Sequence, residues 1–238
     1  MSFVNKVKFI NFKNNFSSTP FSPNYNYFIY ENNICDEINV NEILNIMLDR
    51  EKELIDNNEN NIKNDYDKKV LTIRYKFFNK KIFKSKHIVN LIDVLKKNII
   101  FYSKTLNEPI PKKLWVQMWC NILRENQSIE IHQHDGSENS YLSGNLCLQT
   151  NNTKTHFVNP QIYFTKFNSD YSSENKKGNL TIFPSTLPHY TDRVEKNKLR
   201  ITIAFDVLTE KNKKKLLWDS GENNLFKENI LELKGNLI

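Results

Sequence analysis

At 238 residues the chain is long enough for one sizeable domain, and no run of about eighteen apolar residues is present that could cross a bilayer as a helix. Its formal charge of +7 comes from lysines scattered among many asparagines and isoleucines, the mix an A/T-rich coding sequence produces, so no nucleic-acid partner is expected. Cys35, Cys120 and Cys147 are far apart and form no C-x-x-C pair, which excludes a disulfide framework and a thiolate zinc site.

From the N-terminus, Met1 to Ile10 alternates charged and apolar residues and does not read as a leader, so the expectation is a soluble, cytoplasmic protein without a membrane partner. Residues 39–55 carry Val40, Ile43, Leu44, Met47, Leu48 and Ile55 at helical spacing behind Asn39, with Glu42 as a capping-box partner. The stretch 56–69 is polar and asparagine-rich, which reads as a surface loop. A second helix is expected over 86–103, with Ser85 as its cap, Ile88, Leu91, Ile92, Leu95 and Ile99 as its apolar stripe, and Pro109 and Pro111 beyond its end.

From Leu114 the pattern changes to short β-type runs at 114–123, 128–134, 141–149, 161–166, 179–184 and 199–207. Short strands without intervening helices imply an antiparallel barrel or jelly roll, so the fold class is mainly β with flanking helices. Three regions follow: a helical or mixed region at 1–113 packing on the core, a β core at 114–207 and a C-terminal extension at 208–238. The basic run Lys211 to Lys215 reads as a solvated segment after the last core strand.

Chemistry concentrates in the β core. In I-E-I-H-Q-H-D at 129–135 an extended backbone puts Glu130, His132 and His134 on one face, so two imidazoles can reach one metal ion. A third histidine, His189, follows a predicted strand and a proline-containing turn. Eleven residues later, L-R-I-T-I-A-F places Arg200, Thr202 and Ala204 on one strand face and Leu199, Ile201, Ile203 and Phe205 on the other. An arginine on the inner face of a barrel needs an anion. Its structural alternative is an ion pair with Glu130 or Asp206. His87 and His156 read as structural or surface histidines, and Trp119 as a core residue.

The order Trp119-Cys120-Asn121, His132-Gln133-His134, Ser143-Gly144, Phe183-Pro184-Ser185, His189 and Arg200-Ile201-Thr202 resembles the Fe(II)/2-oxoglutarate oxygenases, and within them a prolyl-hydroxylase-like group. The resemblance spans residues 114–207. It implies a double-stranded β-helix (a cupin-like jelly roll), Fe(II) held by His132, His134 and His189, and 2-oxoglutarate held by Arg200 and Thr202 with Asn121 nearby. It also implies dioxygen as cosubstrate and hydroxylation of an unknown substrate, with a protein or peptide suggested by analogy.

Most of the superfamily has a carboxylate where His134 stands, so Asp135, brought inward by a bulge, is the alternative third ligand. Three imidazoles would leave the site with one more positive charge than two imidazoles and a carboxylate. The rival functions are a cupin-like metal enzyme of another class and a binding module that has lost the chemistry.

Overall fold

The computed structural model describes residues 7–13, 19, 21, 26–57, 72–158, 171–219 and 225–234. The strand expected at 161–166 and residues 58–69 of the polar loop lie outside these.

Two strands come first, β1 (Lys8–Lys13) and β2 (Asn26–Asn33), followed by helix α1 (Val40–Asp56). Asn39 caps α1 as its spacing from Glu42 predicts, its Oδ1 accepting from the Glu42 backbone N–H at 3.2 Å. A 3-10 turn at Thr72–Lys76 precedes α2 (Lys86–Thr105), where Ser85 occupies the cap position but its side chain makes no capping hydrogen bond. The β core comprises β3 (Trp115–Leu123), β4 (Leu142–Gln149), β5 (Thr155–Phe157), β6 (Tyr171–Ser173), β7 (Asn179–Pro184), β8 (His189–Thr191) and β9 (Arg200–Leu208). The basic run joins α3 (Glu210–Asp219), and a short α4 (Leu225–Glu228) leads into β10 (Ile230–Glu232).

The strands form a seven-stranded sheet, β1-β2-β7-β4-β9-β3-β10, and a three-stranded sheet, β6-β5-β8. All their pairings are antiparallel. The first region therefore contributes two strands to the large sheet as well as helices: β2 pairs with β7, with Tyr30 opposite Ile182.

The period-2 pattern of β9 is realised as the sequence predicts. Ile201, Ile203, Phe205 and Val207 join Met118, Cys120, Leu146, Leu180 and Ile182 in a core shared with Ile43 and Met47 of α1 and Leu91, Leu95 and Ile99 of α2. The opposite face of the same strands presents Trp119, Asn121, Asn145, Phe183, Arg200, Thr202 and Ala204 to a cavity shared with Thr155, His189 and Thr191 of the small sheet. Burying one face against helices thus leaves the other free to carry polar groups between the sheets.

The segment expected as a strand at 128–134 is not regular. It makes a single bridge, His132 with His189, through reciprocal backbone bonds of 3.0 and 2.9 Å, while Ile129 O accepts from Thr191 N and Ser185 O accepts from His134 N. Irregular pairing still leaves His132 and His134 partly buried, with Ile131 and Gln133 exposed.

Gly144 marks a close approach: a Cβ there would lie 2.4 Å from Phe205 Cζ and 2.5 Å from the Thr181 carbonyl oxygen. Gly144→Ala is therefore expected to destabilise the protein by about 1–3 kcal/mol, the usual cost of overpacking. A denaturant midpoint equal to that of the unsubstituted protein would show instead that β4 and β7 can separate without penalty.

Candidate functional site

Three histidines converge on the cavity between the sheets. His132 and His134 come from the irregular segment and His189 from the first position of β8, and the nitrogens they offer lie within 4.8 Å of one another. Their ring centroids are 4.3 Å (132–189), 5.0 Å (134–189) and 5.3 Å (132–134) apart.

Each ring is held from behind. Nδ1 of His132 is 2.8 Å from Glu130 O, Nδ1 of His189 is 3.0 Å from Leu187 O, and Nδ1 of His134 is 2.5 Å from Asp206 Oδ1. All three partners are acceptors, so each Nδ1 is the donor in its contact. Burial, reinforced by His134, lowers the pKa of His132 to about 4. Burial, reinforced by both other rings, drives that of His189 well below its ordinary value. Both are neutral imidazoles at pH 7, the form that binds a metal. The donor set therefore suits an iron, zinc, copper or nickel ion.

Asp135, the alternative to His134, does not belong to this cluster. Its carboxylate accepts from Ser137 N at 2.8 Å, Ser137 Oγ at 3.1 Å and Asn212 Nδ2 at 3.2 Å. Asn212 belongs to α3 and is buried, so part of the basic run expected to be solvated packs behind the site.

The sequence reading named Asp206 only as an ion-pair candidate for Arg200 and missed its place behind His134. It lies on β9 two residues after Ala204, so extending the Arg200, Thr202, Ala204 alternation by one step would have found it on the same face. Besides holding His134, Asp206 Oδ1 accepts from Ser143 Oγ at 2.6 Å, and the Ser143 and Ser185 hydroxyls are 2.8 Å apart. The Ser-Gly and Phe-Pro-Ser elements thus meet behind His134. The cross-strand register explains why, since Ser143 sits directly opposite Asp206.

Arg200 is 2% exposed and makes no ion pair among the described residues. Asp206 is engaged by His134 and Ser143, so the structural ion pair considered for Arg200 is not made there. Its Nη1 donates to Lys154 O at 3.1 Å and its Nη2 to Thr155 Oγ1 at 2.9 Å, while Nε is buried with no partner. Burial lowers its pKa to about 10, so it remains a cation at neutral pH. Thr202 and Asn121 face each other across β9 and β3 and line the same cavity.

Buried side-chain atoms lacking a hydrogen bond collect here: Arg74 Nε, Asn121 Oδ1, Asn145 Oδ1 and Arg200 Nε all belong to cavity-lining residues. Native interiors satisfy such groups. Orphaned donors and acceptors around the buried Arg200 cation leave this cavity with unused hydrogen-bonding capacity for a polar ligand, the two guanidinium Nε atoms being donors that an anion would satisfy. His156, by contrast, is tied off between Ser172 Oγ (2.8 Å) and Asp192 Oδ1 (2.7 Å) and stacks on Tyr190.

Residues 117–206 match the family model described as "Putative 2OG-Fe(II) oxygenase". No protein of curated function matches the sequence. Similar solved structures include a prolyl-4-hydroxylase of Pseudomonas putida (11% identity, 52% of this chain and 67% of that one, TM-score 0.41). A 2OG-Fe(II) oxygenase-family oxidoreductase of Burkholderia pseudomallei shares 10% identity over 51% of this chain and 56% of its own (TM-score 0.39). The epimerase SnoN in complex with Fe3+, alpha ketoglutarate and nogalamycin RO shares 9% over 55% and 61% (TM-score 0.41). The chain thus spans 56–67% of the length of these structures. Among the described residues, no helix is long and apolar enough to cross a membrane. The family match thus falls on residues 117–206, the part of the chain whose motifs resemble the Fe(II)/2-oxoglutarate oxygenases.

Proposed function

We propose that the protein is an Fe(II)- and 2-oxoglutarate-dependent hydroxylase in which His132, His134 and His189 hold the metal and Arg200, with Thr202 and Asn121, holds 2-oxoglutarate. The observation that carries the reading is a single cavity lined by three outward-anchored imidazoles and by a buried arginine without a carboxylate partner. Fe(II) held by His132, His134 and His189 would supply, with 2-oxoglutarate and dioxygen as cosubstrates, a substrate oxidation coupled to oxidative decarboxylation of 2-oxoglutarate.

The chain's own residues provide geometry and dryness. Glu130 O, Leu187 O and Asp206 fix the three rings with Nε2 facing inward. The planar guanidinium of Arg200 offers paired donors to a carboxylate, and Thr202 adds a hydroxyl two residues along the same face. Phe157 and Phe183, whose rings pack on His189 at 5.8 and 4.8 Å, shield it from water.

Asp206 supports the three-histidine reading on grounds of charge. Its carboxylate sits one hydrogen bond behind His134, so the net charge around a divalent ion approaches that of two imidazoles and a carboxylate. Asp206→Ala is expected to weaken metal binding by roughly 10–100-fold, the usual cost of losing an outer partner of a metal-bound histidine. Asp206→Asn, which keeps an acceptor for Nδ1–H, should lose less. Equal metal affinity in the alanine variant and the parent protein would mean that the Asp206 contact is dispensable to the site.

Anaerobic titration of the purified protein with Fe(II) and then 2-oxoglutarate, followed by the visible metal-to-ligand charge-transfer band of the chelate, tests the whole reading. The band is expected. Iron binding without it would favour a cupin-like enzyme of another class, and absence of both would leave a binding module.

A further inference from the structure

The cavity holds a second guanidinium that neither metal binding nor 2-oxoglutarate uses. Arg74 comes from the 3-10 turn at Thr72–Lys76, outside the β core, and lines the same space as His132, His134, His189 and Arg200. Its guanidinium lies over the Tyr75 ring (4.9 Å to the centroid) and the Trp119 ring (5.8 Å), and Trp119 in turn packs 5.3 Å from His134.

Three facts separate Arg74 from a structural arginine. It makes no ion pair with any described carboxylate, its one hydrogen bond runs to the Tyr75 hydroxyl at 3.2 Å, and its Nε is buried with no acceptor. A buried, unsatisfied donor on a cation costs free energy that a ligand would recover. Trp119, on which Arg74 rests, pairs with Ala204, four residues along β9 from Arg200, which is roughly 13 Å of strand. The two cations thus enter the cavity from different places, Arg200 from the first position of β9 and Arg74 over Trp119 beside the histidine cluster.

We infer that Arg74 binds a carboxylate of the primary substrate and so restricts the enzyme to acidic substrates. The inference rests on the oxygenase reading above, because it assigns Arg200 to 2-oxoglutarate and leaves Arg74 over. The paired Nε and Nη donors of a planar guanidinium are the geometry that recognises a carboxylate, and the Tyr75 and Trp119 rings hold it in place.

The test uses the full chain, first loaded anaerobically with Fe(II) and 2-oxoglutarate and checked for the charge-transfer band. Protein loaded with Mn(II) and saturating 2-oxoglutarate is then titrated with N-acetylglycine or with its neutral amide. Paramagnetic broadening of the probe's methyl resonance reports binding beside the metal. The acid is expected to broaden and the amide not, Arg74→Gln to weaken the acid by about 10–100-fold with the charge-transfer band retained, and Arg74→Lys to recover part of the loss. Equal behaviour of acid and amide, or of Arg74→Gln and the parent protein, overturns the inference alone. Loss of the charge-transfer band in Arg74→Gln also overturns it, by making Arg74 a 2-oxoglutarate ligand. Absence of the band in the parent protein overturns the oxygenase reading and this inference with it.

Discussion

Replacing His189 with alanine is expected to abolish the Fe(II)–2-oxoglutarate charge-transfer band and to lower iron affinity by more than about 100-fold, since loss of a mere outer partner already costs 10–100-fold. His189 is the most buried of the three imidazoles, 6% exposed, and both other rings lie within 5.0 Å of it. Its backbone pairing with His132 does not depend on the side chain, so the alanine variant keeps the bridge that positions its neighbour. What it loses is packing against Phe157 and Phe183. His189→Gln, closer in volume, separates that packing loss from ligand loss: both variants should lose iron, and only the alanine variant should lose much stability. Iron retained through desalting by either variant would remove His189 from the metal site.

The second large effect is expected at Arg200. Arg200→Met should retain iron but lose 2-oxoglutarate, with an affinity loss of about 2–5 kcal/mol, as when one partner of a buried charged pair is removed. Arg200→Lys keeps the charge without the two-pronged donor geometry and should fall between. The arginine also ties β9 to the start of β5 through Lys154 O and Thr155 Oγ1, so truncation leaves two acceptors without their donor. Thermal unfolding of the variants measures that structural share separately. An unchanged 2-oxoglutarate titration in Arg200→Met would favour the rival reading, a metal enzyme on the same fold that does not use this cosubstrate.

The two predictions together distinguish the components of the site. Loss of iron in His189→Ala and loss of 2-oxoglutarate alone in Arg200→Met is the pattern that only a shared metal and 2-oxo acid cavity produces. Asp206 and Arg74 then modify it from two sides, one behind a ligand and one beside the substrate space.

Helices α1 and α2 were legible because an apolar stripe at helical spacing and an Asn or Ser at the start are local signals. The inner face of β9 was legible for the same kind of reason, since alternation is a property of consecutive residues. The three histidines and Arg200 could be nominated from their order and spacing along the chain. The N-terminal strands β1 and β2 were not, because among the described residues β1 pairs only with β2, and what joins β2 to the core is β7, about 150 residues further on. The short strands β5, β6 and β8 carry three residues each, too few for a period to show.

What the sequence alone determined is therefore the helices, the β-rich core, the alternation that sorts Arg200 and Thr202 from their apolar neighbours, and the residue types able to hold a metal and an anion. Only the tertiary structure decided how those residues meet. It turned the Asp135 carboxylate toward Ser137 and Asn212, set Asp206 behind His134 by placing Ser143 across from it, and brought Arg74 over Trp119. The physical reason is that side-chain periodicity is encoded by neighbours in the chain, whereas hydrogen-bond partners and buried charges are selected by strand register and packing between distant segments.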